Sequence, residues 1–251
     1  MQKILISTTL MLVSFLIFLA FPKGGIAMSL LSGSIFWVGV GLTVLPKVGW
    51  GKGKLFLVPF LAYFLYHSLL YSFTLTLLEP GGLALFNYLH GYHFGYGYEI
   101  PPPPQYFLLW VSQSVGIWFI IGNFEADVVP FTLFMGLLLG DLMGLNVSEI
   151  TKLRGVGMKT ATAITLPSLG VVSGTSCCLA LPSLILYSVA LSVPVISSEV
   201  FSLLSSTPYF VFVYFGLPIM SAVILYLNLR LVRQVKLKKS LRDGTCTKVR
   251  D

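Results

Sequence analysis

The chain has 251 residues, of which 56% are hydrophobic and only 10% are charged. Soluble domains are typically about 45 to 50% apolar and about 25% charged, so this composition excludes an ordinary soluble globular protein. Intrinsic disorder and a small disulfide scaffold are excluded too, because hydrophobicity is high and three cysteines are too few for this length. The formal net charge is +7, and six of these charges fall in residues 230–251. We therefore predict an all-α integral membrane protein with a basic tail. We expect the protein to contact the lipid bilayer and to bind no nucleic acid.

Uncharged apolar windows follow one another along the chain, each about as long as a transmembrane helix, which needs about 20 residues. Seven such windows are present: 4–21, 26–45, 55–78, 105–122, 128–145, 162–191 and 208–229. The first is predicted to be a retained span, because its apolar run exceeds a signal-peptide core and no small-residue cleavage site follows. The connection 79–104 is too short for a soluble domain. We therefore expect an integral membrane helical domain, 1–229, and a basic cytoplasmic tail, 230–251.

The distribution of basic residues favours an even number of spans. Seven spans with the tail inside place four lysines outside: Lys3, Lys47, Lys52 and Lys54. One span more or one fewer leaves a single basic residue outside. We therefore expect a multi-pass protein of the cell membrane with six to eight spans, and an even number, six or eight, is preferred. The choice depends on residues 80–98, an uncharged stretch with glycines and aromatic residues, for which a span and a re-entrant or interfacial segment are alternatives.

Small residues recur every four positions in the fifth window, at Thr132, Gly136, Gly140 and Gly144. Membrane helices associate by close backbone approach at such residues, so this stripe is predicted to be a helix-packing surface. The partner of the stripe is either another helix of the same chain or a helix of another subunit or of a second copy.

Asp141 lies beside the glycine stripe, in the same apolar window. A carboxylate inside a membrane is energetically costly and is therefore a candidate functional residue. Because Asp141 lies close to the predicted inner end of its helix, we expect a structural salt bridge with Lys152, Arg154 or Lys159. A proton-relay or cation-binding role is the alternative.

The sixth window contains a run of small and polar residues, 173–181, before Pro182. Pro182 has no N–H, so the Cys178 carbonyl loses its partner and a kinked helix is expected to expose Cys177 and Cys178. Adjacent cysteines do not readily form a disulfide, and soft thiolates suit copper, zinc or heavier soft metals. The Ser-Cys-Cys run followed by Pro resembles the vicinal-cysteine helix of the mercuric-ion transport proteins, and a fainter similarity links it to membrane thiol-electron transporters. These resemblances imply a carrier of a soft metal or of thiol electrons; packing as small apolar residues is the alternative.

Three histidines supply further candidate ligands. His67 lies in the third window with Tyr63 and Tyr71 one turn to either side, and this polar stripe either packs against another polar helix face or lines a path. His90 and His93 have a spacing that permits metal chelation with further ligands, and an interfacial aromatic belt is the alternative. Three histidines cannot supply four axial ligands, so a self-sufficient dihaem cytochrome is excluded.

Two functions remain open at this point. The first is a non-catalytic subunit of a larger membrane complex, with other membrane subunits or a second copy as partners. The alternative is a small transporter or thiol carrier for a soft metal ion, using Cys177 and Cys178. An enzyme is the less favoured class, because the sequence has no phosphate-binding glycine motif, no H-E-x-x-H and no G-x-S-x-G.

Overall fold

The computed structural model describes residues 2–21, 25–67, 92–97, 103–121, 124–152 and 181–242. The helices are α1 (Gln2–Ala20), α2 (Gly25–Val48), α3 (Lys54–Leu65), α4 (Phe107–Gln113), α5 (Pro130–Lys152), α6 (Leu181–Ser192), α7 (Ser197–Leu204), α8 (Thr207–Val211) and α9 (Leu217–Arg242). The strands are β1 (Tyr92–Gly97), β2 (Gly116–Ile121) and β3 (Phe124–Val128). Short 3-10 turns at Pro104–Tyr106 and Pro194–Ile196 precede α4 and α7, and a π turn at Phe212–Gly216 joins α8 to α9.

The described residues contain four helical segments that are long and apolar enough to cross a membrane: Lys3–Ala20, Gly25–Val48, Pro130–Thr151 and Thr207–Leu237. A fifth crossing results if α6 and α7, bent by 116° at their junction, count as one span. These segments coincide with the first, second, fifth and seventh windows of the sequence. The prediction of a mostly helical, multi-pass membrane protein is therefore confirmed. The predicted boundary between the membrane domain and the basic tail, at residue 229, lies inside α9. The helix continues across it without a break, so the tail begins as a helical extension of the last span.

The first two helices form an antiparallel hairpin that is joined by small polar residues. The Ser7 hydroxyl donates to the carbonyl of Gly39 at 2.6 Å, and the Ser14 and Ser32 hydroxyls lie 3.0 Å apart. Lipid tails are as apolar as leucine, so such hydrogen bonds and close backbone contacts hold membrane helices together better than apolar burial does. The pairing places the N-terminus of α1 beside the C-terminus of α2.

Helix α5 is the centre of the bundle. Inside the folded chain, 78% of its span is buried, compared with 17% to 22% for the other three long segments. It runs antiparallel to α3, because Gly144 lies against Phe56 and Gly140 against Phe60. It runs parallel to the α8–α9 segment. At one end the rings of Phe131 and Tyr214 are in contact, with centroids 5.1 Å apart, and at the other end Glu149 binds Lys236.

These pairings bring the lysines of the N-terminal half and the start of the basic tail to one end of the bundle. Arg233 on α9 donates to the carbonyl of Val48 at the end of α2, over 3.4 Å. We call this end, marked by Lys3, Lys47, Lys52, Lys54, Arg233 and Lys236, the basic end. α5 ends there and α8 begins at the opposite end, so the chain returns between Lys152 and Thr207.

A three-stranded antiparallel sheet, in the order β1-β2-β3, lies next to the start of α5, at the end away from the basic end. Gly116 at the start of β2 lies close to Val129, which immediately precedes α5. In β2 the register pairs Phe119 with both Phe94 of β1 and Ala126 of β3. This sheet was not expected in an all-α protein.

One sequence expectation about spans needs correction. The window 105–122 is not a spanning helix, because α4 ends at Gln113 and β2 follows. Its second half, Gly116–Ile121, is rich in isoleucine and aromatic residues, which favour strands, and a continuous apolar run does not distinguish strand from helix. In the stretch 80–98, the described residues 92–97 form strand β1 and no helix, while the remainder lies outside the described residues. Most of 162–191 and the second half of 55–78 also lie outside them.

Candidate functional site

The central helix α5 carries four of the twelve polar side chains that are buried among the described residues. Thr132, Asp141, Asn146 and Ser148 are all buried although they lie on an apolar helix. A buried polar group in a membrane is costly unless it is hydrogen-bonded, so the partners of each side chain decide what it does.

Asn146 connects α5 to α9. Its side-chain amide donates to the carbonyls of Leu142, at 2.7 Å, and Leu225, at 3.1 Å. Its Oδ1 accepts from the amide of Asn228 at 2.8 Å. Interhelical hydrogen bonds of this kind fix one rotational setting between two membrane helices. No local sequence pattern distinguishes these two asparagines, because each lies at the polar end of its apolar window.

His67, just after α3, connects the end of that helix to the start of α5. Its ring bonds the backbone of Thr132, and its Nδ1 lies 3.4 Å from the Tyr63 hydroxyl. The side chain is 2% exposed. The expected polar stripe therefore packs against a neighbouring helix at His67 and Tyr63, while its third member, Tyr71, lies outside the described residues.

Asp141 is the chemically unusual residue of the bundle. The side chain is fully buried, and within the described residues neither carboxylate oxygen has a hydrogen-bond partner. Among the described residues, the positive charge of Arg233 acts on this carboxylate. The side chains of the expected partners Lys152, Arg154 and Lys159 lie outside the described residues, so the predicted salt bridge with them stays a prediction. A buried carboxylate without a hydrogen-bond partner is energetically costly, which marks Asp141 as a candidate functional residue.

Two glycines of the predicted packing stripe contact a helix of the same chain. A Cβ atom on Gly140 would lie 3.1 Å from the carbonyl oxygen of Phe60, and one on Gly144 would lie 2.7 Å from that of Phe56. Gly136 and Thr132 are also buried. At positions 140 and 144 the stripe thus provides the close contact between α3 and α5.

A groove with a volume of about 500 Å³ opens between α2 and α9, with α4 and α5 forming the rest of its wall. Its walls are apolar and aromatic, and include Trp37, Val44, Leu138, Leu142, Phe215 and Tyr226. Lys47 is the one charged side chain among the described residues that line it. The sequence gives no signal for this groove, because its walls come from four separate segments.

The proposed metal ligands are not brought together in the part of the chain that the structure describes. Cys177, Cys178 and His90 lie outside that part, and so does the side chain of His93, whose backbone belongs to β1. Among the described residues, no group of three or more His, Cys, Asp or Glu side chains is arranged to hold a metal ion. A copper or zinc site at the vicinal cysteines stays a prediction from the sequence.

Together, the fold and the buried groups define a helical multi-pass membrane protein with a polar central helix and a lateral apolar groove. No protein-family model, curated protein or solved structure matches the chain.

Proposed function

We propose that the protein is a non-catalytic subunit of a larger membrane complex. The observation that carries this proposal is an exposed aromatic face on the sheet, at the end of the bundle away from the basic end. Phe94 and Tyr96 on β1 are 64% and 63% exposed. Exposed aromatic side chains grouped on a structured element are typical anchors of protein interfaces.

The arrangement of the sheet holds these side chains outward. Alternation along β1 puts Phe94 and Tyr96 on one face, above Phe119 and Ile117 of β2, with the Phe94 and Phe119 ring centroids 5.2 Å apart. On the other face Trp118 lies directly over Gly95 and Gly97, where any side chain would clash with its indole ring. Among the described strands β1 is at the edge, and an edge strand offers backbone groups for pairing with another chain.

We expect Phe94→Ala with Tyr96→Ala to reduce the amount of partner subunits that co-purify with the protein in mild detergent by about tenfold or more, since two aromatic anchors are removed. The matched control is Phe212→Ala, an exposed aromatic residue in the π turn before α9. The control should retain its partners. Undiminished partner recovery with the double variant would instead favour a membrane-interface belt for these aromatic residues.

We also propose six spans, with the basic end in the cytoplasm. The supporting observation is that Lys3, Lys47, Lys54 and the start of the basic tail lie at one end, as the positive-inside rule requires of a cytoplasmic face. α1, α2, α5 and α9 then account for four crossings, the window 55–78 that begins with α3 for a fifth, and the return between Lys152 and Thr207 for the sixth.

Cysteine labelling tests this orientation in intact cells. In a variant with the three native cysteines replaced by serine, we expect Tyr106→Cys to react with a membrane-impermeant maleimide added outside. Lys52→Cys is expected to react only after the membrane is permeabilised. The reverse pattern would place the basic end outside, and labelling of both sites from outside would refute the proposed span arrangement.

A further inference from the structure

The groove between α2 and α9 extends across about half of a membrane. Its wall residues extend over twelve or thirteen residues in each of three segments: Phe36 to Val48 on α2, Phe131 to Leu142 on α5, and Phe215 to Tyr226 from the π turn into α9. At about 1.5 Å per residue each stretch is roughly 16 to 18 Å long, whereas the hydrocarbon core of a bilayer is about 30 Å thick. The groove therefore matches the depth of one leaflet, and it is too short for a partner helix that crosses the membrane.

Positive charges are concentrated at the basic end of this groove. Lys47 is exposed and lines its wall. The Arg230 guanidinium lies 5.5 Å above the ring of Tyr226, another wall residue, and Arg233 binds the carbonyl of Val48 beside Lys47. At the same end the carboxylate of Glu149 is bound by Lys236 at 2.8 Å. An apolar groove of leaflet depth therefore ends at a cluster of three cations.

From this juxtaposition we infer that the groove binds one acyl chain of an anionic membrane lipid, whose headgroup is held by Lys47 with Arg230 and Arg233. The apolar walls replace the neighbouring lipid tails, and the cations are at the depth where a headgroup phosphate lies. Basic pockets between helices at the cytoplasmic side of a membrane are suited to anionic headgroups. The inference is independent of the proposed role as a complex subunit.

The test uses the full-length protein reconstituted in vesicles of phosphatidylcholine and phosphatidylglycerol, then extracted and analysed by native mass spectrometry. We expect one phosphatidylglycerol retained per chain, with a preference over phosphatidylcholine of about fivefold or more, the scale set by one or more basic residues near an anionic headgroup. Lys47→Gln should remove most of this preference. Lys52→Gln, at the same end but not lining the groove, is the matched control and should leave it unchanged.

A second variant, which fills the groove, tests lipid binding without changing any charge. Val223 is an exposed residue of the groove wall, and Val223→Trp should displace the retained lipid whatever its headgroup. Equal retention of both lipids by the unmodified protein would overturn the inference, because the groove would then be solvated by bulk lipid. Retention of phosphatidylglycerol that is unchanged in both Lys47→Gln and Val223→Trp would overturn it as well.

Discussion

Gly144→Ala is expected to destabilise the protein by about 2 to 3 kcal/mol, the upper range for overpacking a close contact. The added methyl group would lie 2.7 Å from both the carbonyl oxygen and the ring of Phe56. The carbonyl belongs to the backbone of α3 and cannot move without shifting that helix, so α3 must separate from α5. The midpoint of SDS-induced unfolding in mixed micelles measures the effect.

The matched control is the same substitution at Gly41 on α2. There the new Cβ would meet only the end of the Leu45 side chain, at 3.7 Å, which is an ordinary contact. Alanine also has the higher helix propensity, by about 1 kcal/mol in water, so Gly41→Ala should be neutral or slightly stabilising. If Gly144→Ala is tolerated as well as Gly41→Ala, the described packing of α3 on α5 is wrong.

Asp141→Asn is expected to change stability in the opposite direction, raising the free energy of unfolding by about 2 kcal/mol at neutral pH. The substitution keeps the shape of the side chain and removes the ionisable group. The carboxylate is fully buried and accepts no hydrogen bond within the described residues, so its charge is costly, and the amide does not carry it. The same SDS titration measures the change.

Asn146→Asp provides the contrasting control on the same helix. It adds a buried charge and removes the amide that donates to Leu142 and Leu225, so it should be destabilising. If Asp141→Asn lowers stability by more than about 1 kcal/mol, the carboxylate has a structural salt bridge, as the sequence predicts, with residues such as Arg154. A gain in stability would show that Asp141 is retained at a cost to folding, which is typical of a functional residue.

The sequence predicts long continuous spans better than short or mixed segments. Residues 4–21 and 208–229 carry no charge and are mostly apolar, and a run of that length has few alternatives to a membrane helix. The window 105–122 is equally apolar, but Ser112, Ser114 and Gly116 interrupt it and β-branched and aromatic residues follow, so α4 is short and a strand forms. Hydropathy does not contain this information.

The packing surface was predictable, but its partner was not. A glycine repeat on α5 predicts close helix contact, whereas the identity of the contacting residues, Phe56 and Phe60, depends on the tertiary arrangement. The bond between Asn146 and Asn228 joins residues 82 positions apart, and no local pattern links them. The groove is a property of four segments together, so it is visible only in the folded chain.

Native mass spectrometry of the protein, extracted from its own membrane in mild detergent, shows whether it works as part of a membrane complex. We expect a defined hetero-complex with a fixed stoichiometry. A monomer or homo-oligomer that carries copper, zinc or another soft metal, and loses it when Cys177 and Cys178 are replaced by serine, would rule out the role as a complex subunit. That result would establish the metal-carrier alternative instead.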